Sequence, residues 1–149
     1  MRIGRLLVLS AVAATLGAAL PPVRPSAAPP EITVYHSPTC GCCKQWINYL
    51  KSNGFAVISI EQEDLSDIKA EMGVTGKLAS CHTAMVQGYV IEGHVPAPDI
   101  QRLLKERPKI AGLTAPGMPG ASPGMDTSKD PYDVLTFDSK GKTTVWARH

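Results

Sequence analysis

The chain has 149 residues, 44% hydrophobic and 19% charged, with 13 Gly, 13 Pro and only 5% aromatic residues. This suits one ordinary domain of about 100–200 residues and excludes a large multidomain enzyme, a collagen-like repeat and a coiled coil. The formal charge of +2 includes Arg2, Arg5 and Arg24; without them 12 basic residues face 13 acidic ones, a net of −1 that calls for neither nucleic acid nor an anionic membrane as partner.

Met1–Arg5 carries two arginines and no acid, and Leu6–Leu20 is an uncharged apolar run. Such a run is short for a bilayer, which needs about 20 residues, but suits the apolar part of a secretory signal. Small residues at Gly17 and Ala19, and again at Ser26–Ala28, offer cleavage sites. The reading is a signal peptide with a Pro-rich start over residues 1–28 and a folded domain over 29–149. The alternative is an uncleaved N-terminal anchor. No cysteine precedes residue 40, which argues against a lipid anchor. Cleavage and export to a periplasm leave no membrane span in the mature protein and permit disulfides.

Ile32–Tyr35 is β-rich and begins the domain. A helix over Cys42–Asn53 aligns Trp46, Ile47 and Leu50 on one face, and Gly54 stops it. Ala56–Ile60 reads as a second strand, and Leu65–Met72 as a helix with Leu65, Ile68 and Met72 aligned. Glu61–Asp64 between them reads as a solvated turn. Thr83–Val86 and Tyr89–Val95, joined across Gln87-Gly88, read as a hairpin. Pro98 suits a first helical turn beside Asp99; Ile100, Leu103 and Leu104 form its buried stripe, and Pro108 ends it. The order is therefore β-α-β-α-β-β-α, an α/β domain of thioredoxin-like layout with parallel first strands. Ala111–Met125 reads as an irregular Gly/Pro/Met loop. Tyr132–Phe137 and Thr143–Ala147 flank Asp138-Ser139-Lys140-Gly141 as an added C-terminal β-hairpin.

The chemistry lies in the cysteines. Three of the four fall within Cys40-Gly41-Cys42-Cys43, between the first strand and the first helix. Amides at a helix N-terminus carry partial positive charge and favour thiolate, which is both nucleophile and metal ligand. Gly41 removes a side chain where the backbone turns tightly and a ligand could approach. Inert buried cysteines are the bland alternative. Cys40 and Cys43 have the C-x-x-C spacing of thiol–disulfide oxidoreductases, whereas the adjacent Cys42 complicates simple exchange. Clustered thiolates also suit Cu(I), zinc or iron–sulfur centres, and this crowding favours bridged copper ions over one tetrahedral zinc. In a thioredoxin-like layout Cys81 enters the third strand beside the helix-start motif, with the His82 imidazole nearby. Otherwise Cys81 is a buried strand-edge residue.

Val34-Tyr35-His36-Ser37-Pro38-Thr39-Cys40-Gly41-Cys42-Cys43-Lys44-Gln45-Trp46 resembles the opening of the CopG-type periplasmic copper-resistance proteins. Ser80-Cys81-His82-Thr83-Ala84 and Gly88–Pro96 are similar to their central signature. Gly117–Met125 resembles their Met-bearing loop with a slight spacing variant, and Tyr132-Asp133-Val134 the start of their final hairpin. The resemblance implies a thioredoxin-like fold binding several Cu(I) ions in a thiolate-bridged cluster, with a redox role in handling copper. By position, it implies Cys40, Cys42, Cys43 and Cys81 as ligands. Periplasmic copper-handling or redox proteins are the implied partners.

Further metal candidates are His36, His82, His94, Met118 and Met125. His36 lies four residues before Cys40, or else it is a solvated strand end. His94 belongs either beside the cysteines or at the cap of the last helix. Met118 and Met125 lack helical spacing, and their thioethers suit Cu(I) or fill apolar gaps. Met72, Met85 and Trp46 read as core, and the terminal His149 as frayed. Besides copper sequestration, two functions fit: a thiol–disulfide oxidoreductase using Cys40 and Cys43, and a disulfide-stapled structural module, with Cys40–Cys43 and Cys42–Cys81 as one of three possible connectivities.

Overall fold

The computed structural model describes residues 28–149, so the leader expected over residues 1–28 falls outside the described residues except for its last position. The elements are β1 (Glu31–His36), α1 (Gly41–Ser52), β2 (Ala56–Glu61), α2 (Ser66–Glu71), β3 (Thr83–Val86), β4 (Tyr89–Glu92), α3 (Ala97–Glu106), β5 (Gly112–Thr114), β6 (Asp133–Phe137) and β7 (Thr143–Arg148). Among these described residues, no helix is long and apolar enough to cross a membrane.

The strands form a single seven-stranded sheet in the order β2-β1-β3-β4-β5-β6-β7. β1 pairs in parallel with β2, from Glu31↔Ala56 to His36↔Glu61, and antiparallel with β3. β3 and β4 form the expected hairpin, and Gln87 and Gly88 both have positive φ, the turn geometry that matches strand twist. The first four strands therefore have the thioredoxin-like arrangement, and the β6–β7 hairpin is added at the far edge.

Side-chain alternation divides the core between the two faces. Ile32 and Val34 of β1, Ala84 and Val86 of β3 and Ile91 of β4 meet Trp46, Ile47 and Leu50 of α1 and Ile100 and Leu103 of α3. The out-of-phase neighbours Met85 and Val90 belong to a smaller cluster with Val74, Leu78 and Phe137. The helices are also tied by polar bonds: Trp46 Nε1 donates to the Val95 carbonyl at 2.9 Å, and the Ala97 amide donates to the Tyr49 hydroxyl at 3.1 Å. The latter satisfies an amide that the helix itself leaves unpaired. Pro98 sits in the first turn of α3, as expected, and Arg107 closes that helix in the left-handed conformation.

Two expectations need correction. The loop read over Ala111–Met125 begins with a strand, β5, which pairs in parallel with β4 from Val90↔Gly112 to Glu92↔Thr114. Three residues starting with glycine are too few to show alternation. That glycine is required by packing, because a Cβ on Gly112 would lie 1.9 Å from the Val90 carbonyl oxygen. His149, read as frayed, is instead held. Its backbone exchanges hydrogen bonds of 3.0 and 2.9 Å with Tyr132, its ring stacks on Tyr132, and its Nε2 lies 2.7 Å from Asp99 Oδ2.

Gly112→Ala is expected to destabilise the domain by about 1–3 kcal/mol through overpacking. Urea unfolding checks this, and an unchanged midpoint would disprove the close approach of β4 and β5.

Candidate metal centre

β1 ends at His36, and four residues later Cys40 caps α1. Its Sγ accepts the Cys43 amide at 3.3 Å, so sulfur occupies the place of the usual oxygen cap. This puts three sulfurs in one turn at the positive end of the helix dipole. Cys40 and Cys43 are joined as a disulfide, whereas Cys42 and Cys81 are free thiols. The second staple considered above, Cys42–Cys81, is thus absent. Gly41 differs from expectation: its φ is ordinary and a Cβ there would meet open space, so its value is in leaving the approach clear.

Cys81 lies between Leu78 and β3, and the sheet brings it to the start of α1. The sulfurs of Cys40, Cys42, Cys43 and Cys81 all lie within 4.8 Å of one another, and Cys40 and Cys42 are 3.5 Å apart. Cys81 also belongs to a second group with His82 and His94. Its Sγ is 3.1 Å from His94 Nε2 and 3.3 Å from His82 Nδ1. Burial, reinforced by the neighbouring Cys42, pushes the Cys81 thiol up to about 12. Helix-end activation therefore does not extend to this fourth cysteine. Burial holds His82 well below its ordinary value, with the charges of His94 and Lys69 acting in the same direction. Burial likewise lowers His94, so both imidazoles stay neutral and keep lone pairs near neutral pH.

The Gly/Pro/Met loop closes over this arrangement. The Pro123 carbonyl accepts from His94 Nδ1 at 2.7 Å, which fixes the tautomer and turns the Nε2 lone pair toward Cys81. Gly124 has φ +83°, and a Cβ there would lie 2.7 Å from the Trp46 amide nitrogen and 3.2 Å from the Cys42 carbonyl. The loop therefore touches both halves of the site. Trp46 is core, as expected, and its ring also packs on His82 with centroids 4.3 Å apart.

The remaining candidates lie differently. His36 is buried, with Nδ1 donating to the Ser37 carbonyl at 2.9 Å and Nε2 meeting Ser59 Oγ at 2.6 Å. Both nitrogens are engaged, and His36 belongs to neither donor group. Met118 is 52% exposed, while Met125, next to Gly124, is partly buried.

Sequence reasoning missed Glu92. Its carboxylate is wholly buried and accepts from Lys69 Nζ at 2.5 Å, the Ser80 amide at 2.6 Å and Thr83 Oγ1 at 2.6 Å. Burial raises the Glu92 carboxyl above its ordinary value, opposed by Lys69 and these hydrogen bonds. Ser80, adjacent to Cys81, also donates its hydroxyl to the Gly117 carbonyl. The available signal was an acid inside an apolar strand, opposite Thr83 in the hairpin register.

Glu92→Ala leaves Lys69, Thr83 and the Ser80 amide without their acceptor. It is expected to cost about 3–5 kcal/mol, as for one partner lost from a buried pair. Alkylation of Cys81 should accelerate as its loop loosens. Unchanged stability and an unchanged alkylation rate would refute the positioning role of Glu92.

Residues 32–78 match the Glutaredoxin family, and residues 78–125 match the family described as "Protein of unknown function, DUF411". No curated protein matches the chain. Two solved structures do, "Copper resistance protein copG- Form 1" and "Form 2", each at 41% identity and TM-score 0.76, covering 81% of this chain and 98% of theirs. Fold, donor set and extent of identity agree: the chain belongs to the family of CopG copper resistance proteins.

Proposed function

We propose that this is an exported, periplasmic copper-binding protein that holds several Cu(I) ions among Cys40, Cys42, Cys43 and Cys81 for copper resistance. The observation that carries the reading is the mutual approach of four sulfurs within 4.8 Å. Thiolates are soft donors that suit Cu(I), and sulfurs this close can bridge ions. The solved relatives are titled as copper resistance proteins, which supports copper as the cargo. Periplasmic copper-handling or redox proteins are the expected partners.

The same residues offer a redox step. Cys40 and Cys43 lose two protons and two electrons as their S–S bond forms, and two Cu(II) ions become two Cu(I). Reduction of the disulfide by a thiol donor restores the four-sulfur site.

A second reading is a thiol–disulfide oxidoreductase using Cys40 and Cys43. It is favoured by a disulfide at a helix start and by the Glutaredoxin match over residues 32–78. Cys42 separates the two, being superfluous for exchange and useful for a cluster. Reduction of unrelated disulfide substrates by the metal-free protein, at rates insensitive to Cys42→Ser, would favour the oxidoreductase.

Anaerobic titration of the fully reduced protein with Cu(I) is expected to give cooperative loading of more than one ion per chain. Loading should protect all four thiols from alkylation, and Cys81→Ser should lower the stoichiometry while the domain stays folded. Saturation at one ion, or a preference for zinc, would defeat the cluster.

Affinity should also depend on pH. A Cys81 thiol pushed up to about 12 is protonated near neutrality, and Cu(I) must displace that proton. Below the thiol pKa, affinity rises with pH, by about tenfold per unit for each proton displaced. Competition with a chelator of known pH response measures the slope from about pH 6 to about pH 8. A flat profile would exclude Cys81 as a thiolate ligand.

A further inference from the structure

Cys81 stands at the junction of two donor sets, one of sulfur alone and one with two imidazoles. The second set contains neither Cys40 nor Cys43, so closing their disulfide leaves it intact. We propose that Cys81, His82 and His94 form a separate mixed-donor station for a single copper ion, available while Cys40 and Cys43 are joined. The proposal rests on the reading above only in taking copper as the cargo.

Three features of the geometry carry it. The first is spacing. A sulfur and a nitrogen bound to one ion at about 2.3 and 2.0 Å, with a near-tetrahedral angle, lie about 3.3–3.5 Å apart. The observed separations from Cys81 Sγ are 3.1 Å to His94 Nε2 and 3.3 Å to His82 Nδ1. Both sulfur–nitrogen separations are close to those an ion would impose, and the three residues' donor atoms all lie within 4.8 Å of one another.

The second feature is the support of His94. Its Nδ1–H is spent on the Pro123 carbonyl at 2.7 Å, so only Nε2 is left to face Cys81. Metal-bound histidines are oriented in this way, with the distal N–H on a carbonyl or carboxylate. The Pro123 contact is maintained by the adjacent Gly124, which lies directly against α1.

The third is the state of His82. Its ring is wholly buried against Trp46, its Nδ1 meets the Cys81 sulfur, and its Nε2 has no partner. The ring is held by packing, and its Nδ1 meets nothing but that sulfur, so the nitrogen is free to bind a metal as a neutral imidazole does. Two imidazoles and one thiolate are a donor set that copper accepts, whereas magnesium and calcium require oxygen.

The test uses the full mature chain with Cys40–Cys43 closed, verified by alkylation of two thiols and no more. Anaerobic titration with Cu(I) alone is expected to saturate at one ion per chain. X-ray absorption on that sample should show two imidazole nitrogens and one sulfur around the metal. His94→Gln should weaken this binding by at least about tenfold. The absorption measurement needs no variant and decides the case even if His94→Gln misfolds. No uptake by the disulfide form, sulfur-only scattering, or full affinity in a folded His94→Gln would overturn the station. If the reduced protein fails to load several ions while the disulfide form takes its one, the cluster fails and the station stands.

Discussion

A buried carboxylate must find donors inside the protein, and this constraint shapes the site. Glu92 has no exposure to solvent, and its three donors come from two segments: Lys69 on α2, and the Ser80 amide and Thr83 hydroxyl that flank Cys81 and His82. In a medium of low dielectric, an unmet charge costs several kcal/mol, so those segments are drawn to fixed positions. The chain then turns at Gly93, with φ +72°, where a Cβ would lie 2.5 Å from Ser80. That turn places His94 over the sulfur of Cys81. Residues 92–94 thus hold the segment on either side of the cysteine and bring an imidazole to its sulfur.

The other half of the site is positioned by a different kind of contact. The helix start with Cys40, Cys42 and Cys43 does not touch Glu92 through any hydrogen bond; it is placed by apolar packing of Trp46, Ile47 and Leu50. The segment Pro123-Gly124 couples the two halves, one residue bonding His94 and the next lying against Trp46 and Cys42. A loop with little regular structure can do this because its own backbone is satisfied locally. Ser122 donates to Pro119, Met125 to Ser122, and Thr127 to Gly120. Gly117 and Ser80 then fasten its beginning to the Cys81 segment.

The elements legible in the sequence are those whose burial is periodic. Ile32 and Val34 alternate along β1, and Trp46, Ile47 and Leu50 recur at helical spacing, so both elements fall within a residue or two of their expected positions. β5 was illegible because its glycine answers to a neighbouring strand, information that no local window contains. The gathering of Cys81 with the helix-start cysteines followed from the layout, since β3 neighbours β1 in the sheet. The partners of the histidines did not. His36 and His94 look alike as strand-end residues, yet one is consumed by Ser59 and Ser37 while the other faces a thiol. That difference depends on register and on a loop almost thirty residues away.

Cys42 changes what oxidation does to such a site. Where a helix start carries only two cysteines, closing their disulfide removes both thiolates of that turn. Here closing Cys40–Cys43 leaves Cys42 and Cys81 as thiols, with two neutral imidazoles against Cys81. The donor set passes from all sulfur to sulfur mixed with nitrogen. Imidazole is a harder donor than thiolate, so the kind of ion that suits the group changes with the disulfide. Two electrons therefore change which donor atoms this end of the sheet presents. The coupling needs no movement of the fold, because Cys81 already belongs to both groups.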